Sequence, residues 1–502
     1  MYEVVGHESD PFAAAGARKV TMRHLDTTPS LHRADADTIT SHTVTVLIHR
    51  VYSWYLVYMT QEGANRVAAV LDDLGRAAAV HVNSTDELAR QILRATTKND
   101  EDRARKDWPQ LRRKTDLHGV TPWLSGPVRI APWQALHQLA HVTALDEHGG
   151  GRGLAAHWTC LKYCQALHPA ASLELSDEGD TVPKRHYKTA QSDELTRAFA
   201  CHLGEQLMRQ RYPDHAVNIV DADLVLRAGW IRAASTRPFG LKGCLKYFVE
   251  AWRPGEPSKV LLVIAHGTHG KGTVNGQLAR ATAHADFVQL GPYGELPTLL
   301  VSTELSRAKG VIIHALATPG EAEIGALPAH ALQDRNFFPD MHIPGVDKPE
   351  PGFQLPAEDF EWFASVLAHT EAAGLMAFAG SVDEVNNYLT KQQRKSRPDR
   401  LVMPGISSVC DTEHRLHGHH FVGTDHVFRL HGVRLEVFSG LREDLHRLLV
   451  NGPGERAEHL RAYREAAYQS ALHRPTAVWD LQWGGPAHIA ANGAVLAIRR
   501  LR

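Results

Sequence analysis

The chain has 502 residues, 43% of them apolar and 22% charged, an ordinary composition for a folded protein and a length beyond what one hydrophobic core serves. A formal net charge of −1 excludes a globally basic, nucleic-acid-coating protein and confines any such binding to local patches. Five scattered cysteines, an odd number, exclude a disulfide framework, and neither a secretory signal nor a run of about 18 uncharged apolar residues occurs, so a cytoplasmic protein without a membrane anchor is expected.

Residues 1–21 carry no pattern and read as a disordered leader. A small α/β N-terminal domain is expected over 22–97, with β-branched and aromatic strands in "HTVTVLIHRVYSWYLVYM", an amphipathic helix at "GANRVAAVLDDLGRAAAV" and a second helix capped by Ser84 or Thr85. Residues 98–187 read as a mostly helical connecting region that opens with the charge-dense "KNDEDRARKDWPQLRRK", a solvated linker helix broken by Pro109.

An α/β domain over 188–319 is the best defined. It comprises a helix at "SDELTRAFACHLGEQLMRQRY", strands at "AVNIVDADLVL", "CLKYFVEAW" and "VLLVIA", a helix at "GQLARATAHA", and strands at "DFVQL", "TLLVST" and "GVIIHAL". Runs such as "VLLVIA" do not alternate, which predicts strands buried on both faces. An irregular linker rich in Pro and Gly is expected over 320–356, and an α+β C-terminal domain over 357–502 with a His-rich loop followed by strands at "HVFRLHGVRLEVFSG". The fold class is multidomain α/β with a central mixed sheet.

The stretch "VLLVIAHGTHGKGT", residues 260–273, carries two resemblances. A buried strand, then Gly267, Gly270, Lys271, Gly272 and Thr273, then a helix, is the layout of a phosphate-binding loop. "GTHGKGT" resembles the ATP loop of the Mur ligase and folylpolyglutamate synthetase family. That resemblance implies ATP held by Lys271 and Thr273, with Glu304 as the nearest acidic residue for magnesium.

Over a longer span, the order helix, strand, strand, tight turn, strand, helix, strand between residues 190 and 302 is similar to the core of the PD-(D/E)xK nuclease superfamily. The resemblance implies a restriction-endonuclease-like fold, DNA as partner, and Mg or Mn held by carboxylates for phosphodiester hydrolysis. This sequence departs from that pattern at its catalytic positions. Leu245 and Lys246 stand where the Pro-Asp pair would be, and Ile264, Ala265 and His266 where the acid, spacer and lysine would be. The substitute ligands are Glu194, Asp221, Asp223 and Glu250, with Lys246 or Lys271 for the lysine, and His269 and Lys271 would face DNA. The expected function is a nuclease, or a catalytically impaired nuclease-like subunit, in bacterial defence or DNA processing. The alternatives are a phosphate-loop ATP-binding enzyme and a non-enzymatic interaction protein.

Three further groups are candidates. The cluster "EHRLHGHHFVGTDHVFRLH" offers His417 and His419 as metal ligands, in a chain that holds 32 histidines. His157, Cys160 and Cys164 share a helix face, for which a buried apolar face is the expected reading. Arg394 and Lys395, with Arg397 and Arg400 in "KQQRKSRPDR", could contact phosphates.

Overall fold

The computed structural model describes residues 61–501 apart from 121, 123, 125, 146–157, 182–184, 229–231, 234–243, 287, 291–295, 321–322, 325–352, 356–359, 397–409, 452–455 and 472–477. The chain divides into Met1–Met59 and Thr60–Arg502, and the description concerns the second unit. The leader, the strands expected between 42 and 59 and most of the linker 320–356 lie outside the described residues.

The larger sheet is built from β1 (Ala78–Asn83), β2 (Val128–Ile130), β3 (Ala216–Asp221), β4 (Leu245–Trp252), β5 (Ser258–Thr268), β6 (Thr298–Glu304) and β7 (Ile312–Thr318). Their order is β2-β1-β7-β6-β5-β4-β3, with Glu323–Ile324 added against the start of β5. The sheet is mixed: β3, β4 and β5 form an antiparallel meander, β6 lies parallel to β5, and β1 lies parallel to β7. Thus β1, from the segment read as an N-terminal unit, pairs with residues 312–314 of the central sheet.

Apolar runs without alternation become strands buried on both faces, as period-two geometry requires. Tyr247, Val249, Leu261, Val263, Leu299 and Val301 face one cluster, and Phe248, Leu262, Ile264 and Leu300 face the other. Helices α2 (Pro132–Val142) and α3 (Arg185–Arg211) pack on the first face. Helices α1 (Asp86–Ala104) and α4 (Val274–Asp286), with the first turns of α5 (Phe360–Phe378), pack on the second.

Thr85 is the N-cap of α1, accepting from Leu88 N at 3.2 Å. Ser84 instead ties two strands together, donating to Ala315 O at 2.6 Å and accepting from Val120 N at 2.7 Å. The charge-dense segment is less solvated than its composition suggests. The Arg113 side chain is 4% exposed, donating to Asp100 and to Ala279 O of α4, and Arg112 pairs with Asp286 at 2.7 Å.

A second, antiparallel sheet comprises β8 (Thr412–Leu416), β9 (His419–Leu430), β10 (Val433–Arg442), β11 (Trp479–Asp480), β12 (Gly485–Ile489) and β13 (Ala494–Arg500), in the order β8-β9-β10-β13-β12-β11. Helices α6 (Glu443–Asn451) and α7 (Arg456–Ala471) follow β10. The expected His-rich loop is therefore a hairpin, β8-β9, and the strands expected in "HVFRLHGVRLEVFSG" form a second, β9-β10. His417-Gly418 and His431-Gly432 are two-residue turns with positive φ at both positions, 48° and 82° in the first and 48° and 80° in the second. Such turns match the twist of the strands they join, and histidine tolerates the left-handed region better than most side chains.

Candidate functional site

The chemistry-bearing residues of the larger sheet gather at one end of it. Strand β5 leaves the sheet through "HGTHGKGT", and β6 runs parallel beside it, so both carboxyl ends open in the same direction. Carboxyl ends of parallel strands are where α/β sheets place ligands.

Register joins four strands there. Ser302 of β6 is directly opposite His266 of β5 and His314 of β7, and Asn83 of β1 is opposite His314. This polar row faces α4 on the side of Leu300 and Ile264. Asn83 Nδ2 lies 2.9 Å from His314 Nδ1, and His314 Nε2 lies 3.4 Å from Glu304. Ser302 Oγ donates to Gln277 Oε1 at 2.7 Å, and Gln277 Nε2 donates to Gly267 O at 2.9 Å. Burial, with Arg280 nearby, pushes the His266 imidazole down to about 4, so it is neutral at pH 7. Its buried Nε2 has no hydrogen-bond partner among the described residues. Ser302, Glu304 and His314 are all buried, so among the polar residues of this end on β5, β6 and β7, His266 is the one that reaches partial exposure.

The loop itself is internally bonded. Gly270 N donates to Thr268 Oγ1 at 3.0 Å, Thr273 Oγ1 donates to Gly270 O at 2.9 Å, and the two threonine hydroxyls lie 2.5 Å apart. Gly267 is required by close approach, because a Cβ there would sit 1.9 Å from Ser192 O of α3. Gly270 and Gly272 have nothing within 4 Å of a built Cβ and no positive φ. The His269 imidazole is half-buried and its affinity for a proton is lowered by that burial. The side chain of Lys271 lies outside the described residues.

The remaining sequence candidates disperse. Lys246 is buried and pairs with Asp223 at 3.2 Å, while Asp221 caps the turn Ala222–Leu226 by accepting from Leu224 N at 2.7 Å. Glu250, four residues along β4, is held away from that end by Arg464 of α7 at 3.0 and 3.3 Å and by Ser258 Oγ at 2.6 Å. Glu194 sits on α3 between Lys162 and the Tyr163 hydroxyl, each at 2.6 Å.

His417 is a turn residue whose Nε2 lies 2.8 Å from Ala487 O, and His419 is exposed on β9. Among the described residues no three His, Cys, Asp or Glu side chains are placed to hold a metal. Cys160 and Cys164 are buried in the core with their thiols pushed up by burial, Cys164 to about 12, and His157 lies outside the described residues. Arg394 is partly exposed on a short helix, and Lys395's side chain, Arg397 and Arg400 lie outside the described residues.

Sequence reasoning named His266 and Glu304 but missed Asn83, Gln277, Ser302 and His314. The available signal was a polar residue ending two apolar runs, "VLLVIAH" and "TLLVST", and one interrupting a third, "GVIIHAL". No described helix is long and apolar enough to cross a membrane. Compared with protein-family models, with curated proteins and with solved structures, the chain matches none.

Proposed function

We propose that residues 185–304 form a restriction-endonuclease-like core whose metal-binding carboxylates are gone, and that the protein binds nucleic acid through it without cutting. The observation that carries this reading is topological. Helix α3, the antiparallel meander β3-β4-β5, helix α4 and then β6 parallel to β5 follow one another in the order that the nuclease resemblance requires.

The donor set does not fit the Mg or Mn of an active member. At the meander's open end Lys246 is opposite Ile264, Asp223 is tied to Lys246, and Asp221 is spent on a helix cap. Two hard oxygen ligands on one ion are the least such a site needs, and a lysine with an isoleucine supplies none. The nucleotide-loop reading has less support, since the hydroxyls and the Gly270 amide are used within the turn.

Fluorescence anisotropy with labelled duplex and single-stranded DNA, and with RNA, tests the proposal. Binding that weakens at least about tenfold between about 50 and 200 mM salt is expected, with no cleavage in manganese. Absence of binding to all three, or manganese-dependent cleavage lost on removal of a carboxylate, would refute it.

A further inference from the structure

Away from the larger sheet's polar end, three elements bring a thiol, a hydroxyl and an imidazole to one point. His446 of α6 presents Nε2 to the Ser381 hydroxyl at 2.8 Å and to the Cys410 sulfur at 3.5 Å. All three residues are partly exposed. Ser381 occupies the N-cap position of Val382–Tyr388 yet makes no side-chain cap bond, because its hydroxyl is turned to the imidazole. Gly380 makes the approach possible. Its φ is 85°, and a Cβ there would lie 3.1 Å from Thr424 Cβ and 3.4 Å from Cys410 N.

We propose that Cys410 is a nucleophilic thiol, a site of covalent capture for small carbon electrophiles, with His446 as its proton acceptor and Ser381 as the residue that positions the imidazole. In the attack the Cys410 sulfur forms a bond to the electrophilic carbon, the leaving group departs with its electron pair, and the thiol proton passes to His446 Nε2. A thiol needs such help only where it is not already ionised.

The surroundings meet that condition. Burial pushes the Cys410 thiol up, with Asp411 adding to the effect and the Ser381 hydrogen bond opposing it. Burial also lowers the His446 imidazole, with Glu384 opposing. At neutral pH a protonated thiol therefore stands beside an unprotonated base, and the proton moves during the attack rather than before it. Cys160, Cys164 and Cys201 are buried and Cys244 is partly exposed, so the chain carries its own internal standards.

The test is timed alkylation of the native full-length protein with limiting iodoacetamide, read by peptide mass spectrometry between about pH 6 and 9. Iodide is then the leaving group. Cys410 should react about tenfold faster than Cys244 at pH 7, with a rate nearly flat from about pH 7 to 8.5. In His446→Asn the Cys410 rate should fall about tenfold and climb steeply with pH as the thiol ionises, while Cys244 is unchanged. An unchanged Cys410 rate in His446→Asn, with the three enclosed cysteines still protected, would overturn the proposal. So would a Cys410 slower than Cys244 in the unmodified chain. If His446→Asn exposes the enclosed cysteines, the profile of the native chain decides: a plateau supports base assistance, and a single climb with thiol ionisation refutes it.

Discussion

Lys246 and Glu250 stand on one face of β4, four residues apart, and each is ion-paired in a different way. The Lys246 pair is half open, since the lysine side chain is 4% exposed and Asp223 33%. The Glu250 pair is closed, at 2% for the glutamate and 5% for Arg464. Arg464 also lies 3.9 Å over the Trp252 ring, so one guanidinium fastens α7 to the far end of the strand. Identical strand, same face, opposite dielectric: the open pair can exchange with water, and the closed one cannot.

Breaking the closed pair has the largest expected effect. Arg464→Leu leaves the enclosed Glu250 carboxyl group without its partner, and urea unfolding should show a loss of about 3–5 kcal/mol. Adding Glu250→Leu should recover much of it, because a pair of apolar residues carries no desolvation cost. A loss below about 1 kcal/mol in Arg464→Leu would mean that the closed end is not a clamp.

The same guanidinium serves a third group. Glu371 of α5 accepts from Asn218 of β3, and burial pushes its carboxyl up to about 8, with Arg464 opposing and Glu250 adding to the rise. One cation cannot neutralise two enclosed carboxylates, so Glu371 stays protonated at pH 7. Its pKa is higher folded than in the unfolded chain, where the ordinary value is 4.5. Its contribution to stability is therefore fully present below 4.5 and is lost as pH rises to about 8. Across that window this group should take away about 1 kcal/mol per pH unit. In Glu371→Gln that slope should vanish, and thermal unfolding of both proteins at pH 6, 7 and 8 checks it. Parallel pH profiles would show that Glu371 is ionised in the fold.

These partnerships explain what the sequence could reveal. "VLLVIA" and "TLLVST" were legible as strands because burial on both faces removes alternation, a local property of the letters. The strands around His431-Gly432 were legible in "HVFRLHGVRLEVFSG", whereas the His417-Gly418 turn was missed because histidine at positive φ is uncommon and the composition there read as a loop. Glu250 was named as a metal ligand since its partner Arg464 lies 214 residues away. The row His266, Ser302, His314 and Asn83 depends on register between β1 and β7, strands separated by 231 positions. Register across such distances is set by packing, not by any local pattern.

The smallest effect is expected at the open end. Lys246→Met keeps the length and apolar stem of a side chain that is already buried, and removes only the ammonium. Asp223, one third exposed, can be solvated where it stands, so no enclosed charge is stranded. The change should therefore alter stability by less than about 1 kcal/mol in either direction. It should also leave nucleic-acid affinity within about twofold, because an enclosed ammonium bonded to a carboxylate releases no counterion from a phosphate. A loss of about 3 kcal/mol would make this pair a clamp like that of Glu250 and erase the difference between the two ends. A large fall in affinity with stability unchanged would place Lys246 in contact with the nucleic acid, and the meander's open end would then be the binding surface itself.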